Sequence, residues 1–423
     1  MATIQNKKEI QVYAHWEGID EPALMGVLSV AAAKGKENFS FAYDTGWLKT
    51  DFLFDLDPDW QLYQGSFFPR NDKPNFGTFL DSCPDRWGRV LMQRREAETA
   101  KQEGRAPKKL LESDYLLGVF DGHRMGGLRF KETTEGPFLN NNHAMATPPW
   151  TSLRQLEEAS LHVEKEETGH PDYLRWLHLL LAPGSSLGGA RPKASVIDTQ
   201  HQLWVAKFPS KNDEKDMAAW EMITYHLANL AGLQVTETKL LQLNGPYHTF
   251  LSKRFDRTMQ GARIHFASAM TMLGRTDGIG SEGASYLELM EFISKHAVNV
   301  EQDLAELWRR IVFSISVKNT DDHLRNHGFL LTKKGWQLSP VYDLNPNEFG
   351  KGLSINISET DNSLDLDLAR SVAPYFRLSL VQANNIIQSV EAAVKQWRKV
   401  AVQFNVSRAE QERMAVAFEN NHS

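Results

Sequence analysis

The sequence is poor in cysteine, since Cys83 is the only one in 423 residues. One thiol cannot close a disulfide within the chain, which excludes a disulfide-framed domain and favours a reducing compartment. No stretch approaches about 18 uncharged apolar residues, and residues 1–16 lack the basic and apolar regions of a secretory signal. We therefore expect a soluble cytoplasmic protein that does not bind a membrane.

Neither sign of charge dominates the chain, because Lys and Arg total 47 and Asp and Glu total 53, a net charge of −6. A mildly acidic chain is not built to hold nucleic-acid phosphates over its whole surface, although a local basic patch stays possible. The hydrophobic fraction of 41% and the charged fraction of 24% are ordinary for a globular protein. The length predicts roughly two to four domains.

The best linker in the sequence is the stretch 131–150, which is polar, rich in Asn and ends in Pro-Pro. Before it, short strands and helices are predicted; after it, a strand-rich region is followed by one in which helical patterns dominate. We therefore predict an α+β protein with an α/β N-terminal subdomain at 1–145, a strand-rich lobe at 146–265 and a mostly helical lobe at 266–423.

The strongest chemical signal lies in NTDDHLRNHGF and the segment that follows it, residues 319–346. Asp321 and Asn326 are five residues apart, and Asp343 follows one predicted hairpin later. In protein kinases an Asp and an Asn with this separation orient the substrate hydroxyl and bind Mg²⁺, and a second metal-binding Asp follows. The pattern predicts catalysis by Asp321 and Asn326, with Mg²⁺ held by Asn326 and Asp343.

Residues upstream of this loop follow the order in which the nucleotide-binding motifs of protein kinases occur along the chain. Lys207 lies in LWVAKF, which resembles the kinase strand whose lysine holds the α- and β-phosphates of ATP, and Glu221 on the next predicted helix could pair with it. The glycine-rich turn at 183–193 precedes that strand, and the backbone of Gly188 and Gly189 could lie over the phosphates. Together these features predict a two-lobed protein-kinase-like core.

Two further side chains are predicted near the nucleotide. Lys193, at the end of the glycine-rich turn, could add a second phosphate contact. His323 lies between Asp321 and Asn326 and could support the catalytic loop through hydrogen bonds.

With these motifs the sequence resembles the HipA-like serine/threonine kinases, the toxins of bacterial HipA–HipB toxin–antitoxin pairs. The resemblance rests on SSLGGARPK, LWVAKF, LSKRFDR, NTDDHLRNHGF and LSPVYD, within about residues 185–345. The segments FLDSCPDRWGR and DYLLGVFDG resemble the N-terminal subdomain of the family more loosely. The resemblance implies the roles given above and an inhibitory autophosphorylation at Ser186, with the adjacent Ser185 as the alternative.

The resemblance also implies a biological role and partners. It implies a toxin that arrests growth by phosphorylating a component of translation, such as an aminoacyl-tRNA synthetase. It further implies a HipB-like helix-turn-helix antitoxin, through which the chain would contact operator DNA mainly indirectly.

Two other functions stay open. The first is a kinase-shaped co-repressor that acts with the antitoxin, binds ATP and has lost phosphoryl transfer. The second is a metal-dependent hydrolase that uses Asp321, His323, His327 and Asp343, since the two histidines are four residues apart. Asp322, next to the catalytic candidate, could also compete with it as the functional carboxylate.

Overall fold

A computed structural model of the chain describes residues 7–33, 35–70, 73–142, 147–181, 189, 191–278 and 282–419. The chain forms two compact units. The first comprises Met1–Lys211, Asp256–Thr276 and Leu330–Lys333, and the second comprises Asn212–Phe255, Asp277–Phe329 and Lys334–Ser423. This division reflects compactness alone, so the predicted domain boundaries at residues 145 and 265 stay a prediction. Among the described residues, no helix is both long and apolar enough to cross a membrane.

The strands within the described residues are, in chain order, β1 (Lys7–Ala14), β2 (Ala23–Ala33), β3 (Lys36–Tyr43), β4 (Ser66–Phe67), β5 (Leu128–Lys131), β6 (Lys193–Ile197), β7 (Leu203–Lys207), β8 (Thr238–Gln242), β9 (His248–Lys253), β10 (His265–Ser268), β11 (Gly328–Thr332) and β12 (Gly335–Leu338).

The α-helices within the same residues are α1 (Gly77–Asp81), α2 (Arg86–Gln102), α3 (Glu112–Gly118), α4 (Leu153–Glu164), α5 (Tyr173–Leu181), α6 (Met217–Leu230), α7 (Ala269–Met272), α8 (Tyr286–His296), α9 (Val300–Ser316), α10 (Leu366–Val372), α11 (Leu380–Val394), α12 (Trp397–Gln403) and α13 (Arg408–Phe418).

The first unit is built on an antiparallel sheet of five strands in the order β4-β3-β2-β1-β5. Aromatic side chains pack against one face of strand β3. Phe41 of β3 stacks on Trp60 with ring centroids 4.3 Å apart, and it contacts Phe79 of α1 edge-on at 5.9 Å. Such aromatic contacts bury large apolar areas, which anchors the short helix α1 to the sheet.

A tight connection joins α1 to α2 in the first unit. Cys83 lies in it, only 2% exposed, and burial raises the pKa of its thiol to about 12. Asp85 caps α2, because its side chain accepts a hydrogen bond from the backbone N–H of Gly88 at 2.8 Å. The stretch 76–95 therefore contains the helix α1 and the first part of a second helix, α2.

The second unit packs around α9, whose buried positions recur at helical spacing. Leu304, Leu307, Trp308, Ile311 and Ile315 are all fully buried. Every residue from Arg310 to Ser316 is also buried, so the second half of α9 is covered on all sides. The residues that follow α9 are therefore held at a fixed position.

Helix α6 of the second unit has clear end signals. Asp216 caps its start by accepting from the N–H of Ala219 at 3.0 Å, and Gly232 follows its end with φ of 81°. Trp220 of α6 stacks on Phe418 of α13 with centroids 5.8 Å apart, and Phe418 stacks on Trp397 of α12 at 5.0 Å. The C-terminal helices thus support α6 within this unit.

Candidate active site

The candidate catalytic loop lies in the second unit, immediately after α9. Asp321 is exposed, whereas Asn326 is 5% exposed and ends a single 3₁₀ turn, Leu324–Asn326. The side-chain amide nitrogen of Asn326 donates to the backbone carbonyl of Asp321 at 2.9 Å. The five-residue spacing is therefore closed into a small loop that ties the two predicted catalytic residues together.

Asp343 sits in a strained conformation beside this loop. Its φ of 60° lies in the left-handed region, which costs energy for a residue other than glycine. Its backbone N–H donates to the hydroxyl of Tyr225 at 3.2 Å, and one carboxylate oxygen accepts from the amide of Asn345 at 3.0 Å. Neighbouring contacts therefore fix the backbone at Asp343.

Hydrogen bonds join the two loops. The N–H of Asn345 donates to the side-chain oxygen of Asn319 at 3.1 Å, and the hydroxyl of Tyr342 donates to the carbonyl of Arg325 at 2.6 Å. The segment that carries Asp343 is therefore bound to the segment that carries Asp321 and Asn326.

The pKa of Asp321 also indicates that its carboxyl lies close to Asp343, Asp322 and His323. Partial burial raises the pKa of its carboxyl, and the negative charges of Asp343 and Asp322 raise it further, while His323 works in the opposite direction. A partly buried carboxyl group close to a second negative charge holds its proton more tightly than usual. The structure thus brings Asp321, Asp343, Asn326 and His323 into one site of the second unit.

Asp322 has the opposite environment to its neighbour. It is 4% exposed, and its carboxylate lies 2.9 Å from His327 Nε2. It also accepts hydrogen bonds from the hydroxyls of Tyr286 and Ser314, the latter at 3.0 Å. Burial alone would raise its pKa, but His327 and these hydrogen bonds lower it. Asp322 is therefore a structural anchor, which leaves Asp321 as the accessible carboxylate.

The donor set suits a magnesium ion. Asn326 uses its amide nitrogen on the Asp321 carbonyl, so its amide oxygen can face another partner. Asp343 contributes a carboxylate, one oxygen of which accepts from Asn345. Carboxylate and amide oxygens are hard ligands that Mg²⁺ accepts alongside waters and phosphate oxygens. Asn326 and Asp343 are the residues that would hold it.

The hydrolase alternative is less well supported. His327 is 2% exposed and pairs with Asp322, so it does not share the surface with Asp321. In the part of the chain that the structure describes, no group of three His, Cys, Asp or Glu side chains could hold a metal ion. A two-residue magnesium site completed by phosphate oxygens does not need such a group.

The predicted lysines lie in the first unit. β6 and β7 pair antiparallel with Lys193 directly opposite Lys207. Lys207 ends β7 and is half-buried. The Lys193 side chain is 3% exposed, and its ammonium binds a carboxylate oxygen of Asp85 at 2.9 Å and the carbonyl of Gly189 at 2.8 Å. Its role as a phosphate contact stays a prediction.

The structure does not place the remaining predicted site residues beside the catalytic loop. Glu221 lies on α6 in the second unit and is 4% exposed. Its pairing with Lys207 would join residues of different units and stays a prediction. Gly188, Ser185 and Ser186 lie outside the described residues.

Two features of the site were not predicted from the sequence. One is the anchor at Asp322, although the second Asp of NTDDH could have suggested that one of the pair points inward. The other is the pairing of Asp85 with Lys193, two residues 108 positions apart. No local pattern reports such a contact.

Comparisons with known proteins bear on the family. Residues 185–397 match a family model described as the HipA-like C-terminal domain. A Haemophilus influenzae protein with a provisional kinase name is 29% identical over 38% of this chain and 52% of its own length. The serine/threonine-protein kinase toxin HipA of Shewanella oneidensis is 28% identical over 38% of this chain and 43% of its own length. The chain thus spans about half or less of the length of these relatives.

A solved structure bears on the fold. It is the complex of HipA, HipB and operator DNA from Shewanella oneidensis MR-1, and the match covers 96% of this chain and 94% of the matched chain. The TM-score is 0.64 at 16% identity. This similarity confirms the predicted α+β fold with a kinase-like core.

Proposed function

The chain belongs to the HipA-like family, and on that premise we propose that it is an ATP- and magnesium-dependent serine/threonine protein kinase. The proposal rests above all on one observation. Asp321 is exposed at the catalytic loop, beside Asp343 and tied to Asn326, while the adjacent Asp322 is buried. A carboxylate presented next to a magnesium-suited oxygen pair is what phosphoryl transfer to a hydroxyl needs.

Each residue of this loop has a distinct task. Asp321 orients the acceptor Ser or Thr hydroxyl and takes its proton, and its raised pKa makes it a better base than an ordinary aspartate. Magnesium, when bound, neutralises charge on the phosphates, and Asn326 and Asp343 provide its protein oxygens. Positioning and charge stabilisation supply most of the catalysis, because the transition state needs little covalent help.

The nucleotide-binding tasks are assigned by the family resemblance. Lys207 holds the α- and β-phosphates, Glu221 fixes its side chain, and Gly188 and Gly189 lie over the phosphates. His323 supports the loop beside Asp321. Autophosphorylation at Ser186 or Ser185 silences the enzyme by changing the segment that precedes β6.

The biological role follows the relatives. One relative is named a serine/threonine-protein kinase toxin, and the matched structure is a complex with HipB and operator DNA. We therefore assign this chain the role of a toxin that phosphorylates a component of translation, such as an aminoacyl-tRNA synthetase. A HipB-like helix-turn-helix antitoxin is its partner and carries it to operator DNA.

The test is transfer from γ-labelled ATP with Mg²⁺, followed by mass spectrometry of the products. The wild-type chain, first treated with phosphatase, should label Ser186 or Ser185. Asp321→Asn should lose at least about a hundredfold in rate, because it removes the base. A wild-type chain that binds ATP but transfers nothing would instead favour the co-repressor. Metal-dependent hydrolysis without ATP would favour the hydrolase.

A further inference from the structure

A buried ion pair connects the start of α2 to the start of β6, both in the first unit. The side chains of Asp85 and Lys193 are 4% and 3% exposed, and the ammonium lies 2.9 Å from the carboxylate. The indole N–H of Trp87 also donates to the backbone carbonyl of Lys193 at 3.2 Å. FLDSCPDRWGR, a motif that the proposed catalysis does not use, thus supplies two contacts to one residue of β6.

The pair also reaches the glycine-rich segment. Lys193 donates to the carbonyl of Gly189 at 2.8 Å, four residues before it in the chain. An ammonium held on one side by a carboxylate and on the other by a carbonyl has a fixed position, because both bonds are charge-assisted. Gly189 is therefore fixed relative to β6 by a side chain that Asp85 holds in place.

The charges explain why Asp85 is needed there. Residues directly opposite in an antiparallel pair project from the same face, so Lys193 and Lys207 share a face of β6 and β7. Two like charges in that arrangement repel each other. Asp85 compensates the charge of the buried Lys193, which weakens the repulsion between Lys193 and Lys207.

We propose that Asp85 and Lys193 form a positioning pair for the nucleotide phosphates, through which the N-terminal subdomain completes the ATP site. The inference rests on the proposed kinase function and deepens it. Lys193 acts through Gly189 and through the charge balance beside Lys207, and it does not contact phosphate. The N-terminal subdomain is thereby a working part of the ATP site.

The test compares variants of the full chain by calorimetric binding of Mg²⁺ with AMP-PNP, a non-hydrolysable ATP analogue. Asp85→Asn keeps the helix cap, because Asn caps as well as Asp, but removes the charge. Lys193→Met removes the ammonium and keeps the apolar stem. The double variant removes both charges and keeps the comparison possible if one single variant does not fold.

A positioning pair predicts that each single variant weakens binding by about tenfold, equivalent to about 1.4 kcal/mol. The double variant should be no weaker than the worse single one, because the two residues act as a unit. In steady-state kinetics the KM for ATP should rise more than kcat falls.

A second buried pair of the first unit provides the control. Lys73 lies 3.0 Å from Asp59, with the two side chains 2% and 0% exposed, and Asp59 also binds Arg70. Lys73→Met should lower the unfolding temperature to a similar extent as Lys193→Met. Its affinity for AMP-PNP should equal that of the wild type, which separates loss of stability from loss of positioning.

Three results would overturn the inference. If Asp85→Asn binds as tightly as the wild type or more tightly while Lys193→Met weakens binding, Lys193 contacts phosphate directly. If no variant differs from the wild type, the pair has only a structural role. If the wild-type chain itself binds no nucleotide, the proposed kinase function fails and the inference fails with it.

Discussion

Asp321 and Asp322 are neighbours in the chain, yet they do different work. One carboxylate faces the solvent beside Asp343, and the other is buried among His327, Tyr286 and Ser314. The anchor fixes the backbone from inside, so that the exposed neighbour is presented in one place. Catalytic geometry of this kind depends on such supporting contacts.

This division of labour predicts opposite effects of two matched substitutions. Asp322→Asn should lower the free energy of unfolding by about 3 kcal/mol, because it removes a buried carboxylate that accepts hydrogen bonds from Tyr286 and Ser314. Asp321→Asn should change it much less, because its carboxylate is not enclosed as that of Asp322 is, and it should lower the transfer rate at least about a hundredfold. Urea unfolding of both variants measures the difference. Equal destabilisation by the two substitutions would contradict the assignment of roles.

A second carboxyl, Asp57 of the first unit, predicts a dependence of stability on pH. It is 1% exposed and accepts backbone hydrogen bonds from Asp59 and Thr78, each at 2.9 Å. Burial raises its pKa from 3.8 to about 6, although these two hydrogen bonds and Lys73 act in the opposite direction. The folded chain therefore binds this proton more tightly than the unfolded chain.

The contribution of Asp57 to stability is fully present below the unfolded pKa and is lost as the pH rises through the folded pKa. The loss should amount to about 3 kcal/mol by pH 7. Asp57→Asn has no such titration. The unfolding free energy of the variant should therefore gain on that of the wild type between about pH 4 and pH 7 and stay level above. A constant difference across that range would refute the raised pKa.

At the scale of elements, Arg124 joins several segments of the first unit. Its guanidinium is fully buried and donates to four backbone carbonyls, those of Ser82, Leu116, Val119 and Leu139. Burial lowers its pKa to about 10, so it stays charged at neutral pH. The end of α1, the end of α3 and the predicted linker at 131–150 all depend on this one side chain.

Arg124→Lys should therefore lower the free energy of unfolding by about 3 kcal/mol, although the charge is kept. A single ammonium cannot span the acceptors that a planar guanidinium reaches, and buried carbonyls are left without donors. Arg105→Lys is the control, since Arg105 is exposed and pairs with Glu96 and Glu103; it should leave the unfolding temperature nearly unchanged. Thermal unfolding of both proteins checks the contrast.

The elements themselves differ in how far the sequence predicts them. α8 and α9 follow from strong helical periodicity, and Ser285 with Glu288 forms a capping box at the start of α8. The segment that contains α4 and α5 carries one helical pattern of apolar residues, yet it forms two helices. Gly169 and Pro171 lie between them and are the signals that mark the break. β2 is hard to predict, because its Ala-rich sequence does not alternate between apolar and polar residues.

The candidate site, too, could be predicted from the sequence only in part. Asp321 and Asn326 could be predicted because both lie in one short loop, where spacing fixes geometry. The positive φ of Asp343 and its contact with Tyr225 depend on a helix more than a hundred positions away. Contacts of that kind arise from tertiary packing, and sequence spacing carries no record of them.

At the scale of the whole molecule, ligand binding should separate nucleotide capture from chemistry. A saturating ligand stabilises the folded chain, by about 2.7 kcal/mol at a hundred times its Kd. Mg²⁺ with AMP-PNP should therefore raise the unfolding temperature of the wild type and of Asp321→Asn alike. EDTA removes the part of this temperature shift that depends on Mg²⁺. Asp343→Asn should lose the same part of the shift, and asparagine tolerates the left-handed backbone at this position. Loss of the whole shift in Asp321→Asn would assign that residue to binding.

Cys83 gives the whole molecule a practical property. A thiol that is 2% exposed, with a pKa raised to about 12, reacts slowly with maleimides, and the sequence contains no second cysteine. Cysteines introduced at exposed positions, such as Gln102 in one unit and Lys395 in the other, would therefore accept spin labels or fluorophores selectively. Such probes would report on the surroundings of each labelled position during turnover in the otherwise native chain.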